Sequence, residues 1–267
     1  IYRDLEEIKK QFRYYLRTFA PGTKVVFSQE DSAVAALVEE AHWCDPCPIS
    51  KASQQASWTI HAQCADWSAF KIIDGEGCAH LVKWSLIGRH NAENALAVMR
   101  GAVALGLDAQ PVVAAICCFT GARKRMQKIG VSASGQEVWD HYAHHPTALS
   151  KVITACRSYF KEGRLVIVLQ LSNYTQRQGL MWQALVAASA ACDLVILVDQ
   201  GDQFPYQAFQ EAHTKPVEII TRATTPETLR YFLQPGDKII TCSSRDCGFI
   251  HEKILEESDI LAVEQSA

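Results

Sequence analysis

The sequence predicts an α/β chain in two parts, the second a doubly wound sheet of mostly parallel strands. Three observations carry this expectation. Residues 165–171 and 194–199 are nearly pure apolar runs, the composition of strands covered on both faces. Around them, short apolar runs alternate with segments whose apolar residues recur every three or four positions, which reads as strand, helix, strand. The run 137–142 enters a polar turn, and Leu149, Val152, Ile153, Cys156 and Phe160 leave it at helical spacing behind Pro146, a residue suited to a first helical turn.

Taken in order, residues 1–16 read as a helix, with Leu5, Ile8, Phe12 and Tyr15 on one face; the chain begins on this element and not on a leader. Pro21-Gly22-Thr23 ends it. Residues 24–28 read as a strand, and Asp31-Ser32 cap a helix through residue 40. Cys44-Asp45-Pro46-Cys47 reads as free thiols in a Pro-rich loop, because no second ligand pair stands at the spacing a zinc site needs. Residues 57–62, 69–73 and 79–84 read as antiparallel strands, the last two joined by the turn Asp74-Gly75-Glu76-Gly77. A glycine turn at Gly88 leads into a helix to about residue 105, stopped by Gly106. Asp108 and Pro111 open another, through residue 119. A boundary near residue 121 separates parts 1–120 and 121–267. Beyond it, strands are expected at 137–142, 165–171, 194–199, 217–221 and 238–242, with helices at 146–160, 181–191, 226–233 and 250–257.

Composition narrows the function. Of 267 residues, 48% are hydrophobic and 21% charged, enough for a sizeable core, and the net charge of −3 disfavours general nucleic-acid binding. No apolar run approaches the ~18 residues of a membrane span, so a soluble cytoplasmic protein is expected. Among the ten cysteines, Cys117, Cys118, Cys156, Cys192 and Cys242 stand in apolar segments, where they behave as small buried hydrophobes.

Two stretches carry chemistry. The first is Asp140-His141-Tyr142-Ala143-His144-His145-Pro146-Thr147, a carboxylate and three imidazoles at a strand-to-helix turn, where helix-end N–H groups suit an anion and histidine shuttles protons near neutral pH. The second is Gly88-Arg89-His90-Asn91-Ala92-Glu93-Asn94. Asn91 and Asn94 share a helical face, and their amides suit the edge of adenine, while His90 stacks on a base or bonds a ribose hydroxyl. The basic run Arg123-Lys124-Arg125 reads as solvated hinge or phosphate clamp, with a nucleic-acid patch disfavoured on an acidic chain. In a doubly wound domain, ligands lie beyond the C-terminal strand ends. That places residues 140–145, 172–178, 199–203 and 243–248 on one rim.

Asp140-His141-Tyr142-Ala143-His144-His145-Pro146-Thr147 and Gly88-x-His90-Asn91-x-x-Asn94 resemble signatures of the Mur ligases, the ATP-dependent amide-forming enzymes of peptidoglycan synthesis. Residues 82–88 and the opening helix resemble the branch that recycles murein peptide. The resemblance implies the later part of the central ATP domain over 1–120, followed by a Rossmann-like C-terminal domain over 121–267. It implies ATP and Mg2+ as cofactors and UDP-N-acetylmuramate and a murein tripeptide as partners, joined through an acyl phosphate, in cell-wall biogenesis. By position, His90, Asn91 and Asn94 take the nucleotide, and Lys124 and Arg125 its phosphates. Asp140, His141, His144 and His145 are the candidate catalytic residues, and Ser172, Asn173, Thr175, Arg177 and Gly248 the candidate substrate contacts. His141 stands where the family carries a second acidic residue.

Gln170-Leu171-Ser172-Asn173-Tyr174-Thr175 resembles instead a loop of the sister branch that adds L-alanine. Only Gly248 remains of a glycine-rich loop that the recycling branch has at 243–251. No Gly-x-x-x-x-Gly-Lys-Ser/Thr loop occurs in the sequence, and most magnesium ligands are expected with that missing loop. These 267 residues alone are therefore expected to show no ligase turnover. The alternatives are the L-alanine-adding activity and a non-catalytic nucleotide-binding or scaffolding module.

Overall fold

The computed structural model describes residues 2, 4–50, 58–171 and 174–255, with the side chain of Thr175 outside the description. The chain divides into two compact units, Ile1–Thr120 and Gly121–Ala267.

The first unit runs α1 (Leu5–Leu16), β1 (Lys24–Ser28), α2 (Ser32–Glu40), β2 (Asp45–Ile49), β3 (Thr59–Ala62), β4 (Ala69–Ile73), β5 (Ala79–Lys83), α3 (Arg89–Ala104) and α4 (Ala109–Cys118). Asp4 and Asp31 cap α1 and α2 by accepting from the N–H groups of Glu7 and Val34. β3, β4 and β5 form an antiparallel meander. Its apolar face, with Phe70, Ile72 and Val82, packs in one cluster with Leu96 and Met99 of α3 and Val113 and Ile116 of α4.

The Pro-rich stretch expected to be a loop is strand β2, parallel to β1. Asp45 N–H donates to Thr23 O at 2.9 Å, and Ile49 O accepts from Gln29 N–H at 3.0 Å. Odd-numbered residues therefore face β1. Pro46 and Pro48 fall on the even positions pointing away from it, where a missing N–H breaks no ladder bond. Cys44 and Cys47 are buried, and no disulfide joins any of the described cysteines. Cys156, Cys192 and Cys242 are buried as expected, but Cys118 is exposed and Cys117 is half-buried at the edge of the core under α4.

The second unit runs β6 (Arg125–Val131), β7 (Glu137–His141), α5 (Pro146–Tyr159), β8 (Leu165–Leu169), α6 (Tyr174–Arg177), α7 (Trp182–Ser189), β9 (Leu194–Val198), α8 (Tyr206–Ala212), β10 (Val217–Ile220), α9 (Pro226–Tyr231), β11 (Lys238–Cys242) and α10 (Gly248–Ile254). The sheet order is β10-β9-β8-β11-β7-β6, all parallel except β6, which runs antiparallel to β7. β6, α6 and α8 were not expected from the sequence: β6 is a polar strand broken by two bulges, and α6 and α8 are too short to show a period.

Each central strand divides its side chains by parity. Leu165, Ile167, Leu169, Ile240 and Cys242 join Leu149, Ile153 and Cys156 of α5 and Leu185 of α7 on one face. Val166, Val168, Val138 and Ile239 join Leu229 of α9 and Ile250 and Ile254 of α10 on the other. Burial pushes the Cys156 and Cys192 thiols up to about 12, so they stay protonated. Replacing the fully buried Ile167 with Ala is expected to cost the second unit about 2–5 kcal/mol, read as a lower urea midpoint. A midpoint that did not move would place Ile167 outside the core.

Candidate functional site

The C-terminal ends of β7 and β11 and the start of β6 enclose a pocket of about 640 Å³ in the second unit. Arg123, Lys124, Arg125, Gln127, Tyr142, Ser244, Asp246 and His251 line it, with Asp140 at its wall. The register that pairs Thr241 with Asp140 puts both on the α10 face of the sheet. Asp140 is 5% exposed and accepts from the Thr241 hydroxyl at 3.2 Å. That hydroxyl lies 2.8 Å from Nε2 of His251, itself 7% exposed. Lys124 Nζ is 3.7 Å from Asp140 and donates to Arg245 O.

Burial pushes the Asp140 carboxyl above its ordinary value, against the pull of Lys124, His251 and the Thr241 hydrogen bond. Burial pushes the His251 imidazole below its ordinary value, against Asp140 and Asp246. Lys124 and Met126 have positive φ angles of 57° and 56°, a strained conformation for residues with a Cβ. It aims Lys124 inward and leaves Arg125 exposed, its guanidinium 5.4 Å from the Tyr142 ring centroid.

The expected cluster of Asp140 with three histidines does not form one site. His141 follows Asp140 in a strand and so faces the opposite, α5 side; it is 3% exposed, and its Nδ1 accepts from Ala143 N–H at 2.8 Å. It bonds the backbone two residues on, as an aspartate does in an Asx turn. His144 Nδ1 lies 2.8 Å from Tyr142 O, which makes that nitrogen a donor and leaves Nε2 as an acceptor. His145 is the N-cap of α5, its Nδ1 accepting from Thr147 N–H at 3.3 Å.

Ser172 and Asn173 lie outside the described residues, as does the Thr175 side chain. Arg177 directs Nε to Asp202 at 3.2 Å. Gly248 opens α10 and donates its N–H to Asp246 Oδ1 at 2.9 Å, so that N–H is not open to a ligand.

In the first unit Asn91 and Asn94 line one groove of about 440 Å³, whose other walls are apolar: Trp84, Leu86, Val98, Ile116 and Phe119. Asn91 Nδ2 donates to Ile87 O at 2.8 Å, while Asn94 is exposed. His90 is half-buried in the first turn of α3. The groove thus joins apolar walls to the exposed Asn94 amide, with the Asn91 amide nitrogen already held by the backbone. Among the described residues no group of three or more His, Cys, Asp or Glu is placed to hold a metal ion.

Asp246 falls in the stretch 243–248 expected on the rim, but Thr241 and His251 were not expected at the site. Thr241 is a polar residue inside an apolar strand. His251 sits between Ile250 and Ile254 of a helix buried on that side, a pattern that marks a partnered imidazole.

A doubly wound unit with a basic pocket at its C-terminal strand ends is a ligand-binding α/β domain. Residues 124–245 match the Mur ligase, glutamate ligase domain family. The second unit thus carries the match to that family, and the chain as a whole is similar to Mur ligases. Over 262 residues it is 29% identical to the UDP-N-acetylmuramate--L-alanyl-gamma-D-glutamyl-meso-2,6-diaminoheptandioate ligase of Escherichia coli K12, covering 96% of this chain and 56% of that enzyme. To the UDP-N-acetylmuramate--L-alanine ligase of Streptomyces avermitilis it is 26% identical, covering 96% of this chain and 57% of the other. The solved structure of the murein peptide ligase mpl of Psychrobacter arcticus 273-4 shares the fold, with a TM-score of 0.68 at 21% identity over 95% of this chain and 55% of that one. The chain thus spans about half the length of the curated relatives it matches.

Replacing His141 with Ala is expected to cost about 1–3 kcal/mol, because the buried Ala143 N–H loses its acceptor. His141→Asp restores an acceptor at the same spacing and should recover much of that loss in urea unfolding. Equal losses in the two variants would show that the imidazole matters for its packing alone.

Proposed function

We propose that these 267 residues are the back half of an ATP-dependent amide ligase that joins UDP-N-acetylmuramate to L-alanyl-γ-D-glutamyl-meso-diaminopimelate in cytoplasmic murein recycling. The observation that carries this is the pocket in which Arg123, Lys124 and Arg125 face Asp140 at the ends of β7 and β11. It offers guanidinium groups for phosphate beside a carboxylate for a hydroxyl or an ammonium. Such a ligase activates the sugar carboxylate as an acyl phosphate; the peptide amine attacks it and phosphate leaves.

In this reading the groove at Asn91 and Asn94 takes the adenine, with His90 beside it, and Arg125 takes phosphate oxygens. Lys124 acts differently from the expectation: its ammonium is held by Asp140 and Arg245 O, so it fixes the basic segment and does not reach outward. His144 offers Nε2 to the incoming peptide. The fit to ATP rests on the two amides and the apolar walls. For magnesium, no group of three or more acidic, histidine or cysteine side chains stands together to hold it among the described residues. No helix among the described residues is long and apolar enough to cross a membrane.

A second reading is a non-catalytic module that keeps the nucleotide groove. Two observations favour it: His141 serves as a backbone acceptor where the family has an acid, and the N–H of Gly248 is taken by Asp246. An L-alanine-adding enzyme draws support from the 26% identity to that branch.

Calorimetric titration of ATP into the chain tests the nucleotide assignment. Binding is expected without phosphate release, and Asn94→Ala is expected to weaken it about tenfold, the worth of one or two hydrogen bonds. Affinity unchanged in Asn91→Ala and Asn94→Ala alike would place the base elsewhere. Turnover by the chain alone would contradict the assignment of the phosphate-binding loop to a missing segment.

A further inference from the structure

We propose that anion binding in the Arg123–Arg125 pocket is coupled to uptake of a proton by the buried chain Asp140–Thr241–His251, with His251 as the positioning residue at its far end. This rests on the reading of the pocket as an anion site. The Thr241 hydroxyl has one proton and three acceptors in reach: Trp139 O at 3.1 Å, Asp140 Oδ1 at 3.2 Å and His251 Nε2 at 2.8 Å. Thr241 is fully buried, so water does not compete for it.

One hydroxyl between a carboxylate and an imidazole conducts in both directions. With Asp140 ionised, His251 Nε2–H donates to Thr241 and Thr241 to Asp140. With Asp140 protonated, its O–H donates to Thr241 and Thr241 donates to His251 Nε2. An added proton therefore comes to rest at either end with both hydrogen bonds kept: as it passes from His251 to Asp140, the Nε2–H and Thr241 O–H bonds break and new Thr241 O–H and Asp140 O–H bonds form. It is supplied by a buffer acid, which becomes its conjugate base.

The sign of the coupling follows from the charges. Arg123, Lys124 and Arg125 attract an anion, while Asp140 and Asp246 repel it. A proton on Asp140 removes a repelling charge and loosens Lys124 toward the ligand; a proton on His251 adds an attracting one. Either way anion and proton favour each other's binding. The groups facing His251 are Asp140, Asp246, Lys124 and Glu252. On α9, Arg230 donates to Lys253 O, and Lys253 Nζ donates to Arg222 O and Thr224 O. Burial raises the Asp140 carboxyl and lowers the His251 imidazole, so the two affinities for a proton move toward each other.

The test is calorimetric titration of inorganic sulfate, which has no titratable proton in this range, into the 267-residue chain at about pH 5.5, between the ordinary Asp and His values. Running it in two buffers of different ionisation enthalpy counts the protons exchanged. The expected result is uptake of about half a proton or more per sulfate bound. Thr241→Val should bind sulfate with a smaller uptake, because carboxylate and imidazole lose the hydroxyl that shares the proton between them, and Thr241→Ser should restore it. Asp140→Asn should bind sulfate about threefold tighter, because a repelling charge is gone; a merely structural role predicts weaker binding. Sulfate bound with no uptake, or with equal uptake in wild type and Thr241→Val, would overturn the coupling and leave the anion site standing. No sulfate binding in any variant would overturn the anion site itself, and the coupling with it.

Discussion

Asp140 and His141 are neighbours in a strand that is covered on both faces, and a strand sends neighbours to opposite sides. Most of the chemistry of the second unit depends on that constraint. Asp140 goes to the side of α10, where the parallel register sets Thr241 beside it and His251 beyond. His141 goes to the side of α5 and bonds the turn that launches the helix. A one-residue slip of β7 would exchange them, burying the imidazole among Lys124 and Asp246 and stranding the carboxylate in an apolar core. The apolar alternation of Val138 and its neighbours fixes the register and so fixes which polar residue meets the pocket.

The first unit obeys a similar rule with prolines. Pro46 and Pro48 share one parity, so a stretch that reads as a breaker completes a parallel pair. The odd residues Cys47 and Ile49 turn inward and are buried. On this frame and the meander beside it, α3 lies with Ala92, Ala95, Leu96 and Met99 inward, which brings Asn91 and Asn94 to the groove shared with α4.

Much of this was legible in the sequence. β1, β4 and β11 fall where the pattern put them, because each is an apolar run between clear stops. The turn at 140–147 and the Asn-x-x-Asn helix start were legible because their residues are adjacent. Thr241 and His251 were not. Thr241 reaches Asp140 across 101 residues of chain through strand register, and His251 reaches Thr241 through helix packing, which no local pattern encodes. β6 was hidden by its bulges and by Arg125, Gln127 and Lys128, and β2 by the ordinary association of proline with loops. Lys124 was read by family position as a phosphate ligand. The positive φ that turns it inward comes from the bulged start of β6.

On the proposed function, ligands meet the Asp140 side of the sheet and not the His141 side. The most direct measurement is an amide NMR shift map of the chain on titration with ATP. The account predicts that the resonances of Gln127, Asp140 and residues 241–246 move with a common affinity, while His141, Ala143 and the first turn of α5 stay in place. Shifts concentrated at His141, Ala143 and the start of α5, with Thr241 and Asp246 unmoved, would contradict it.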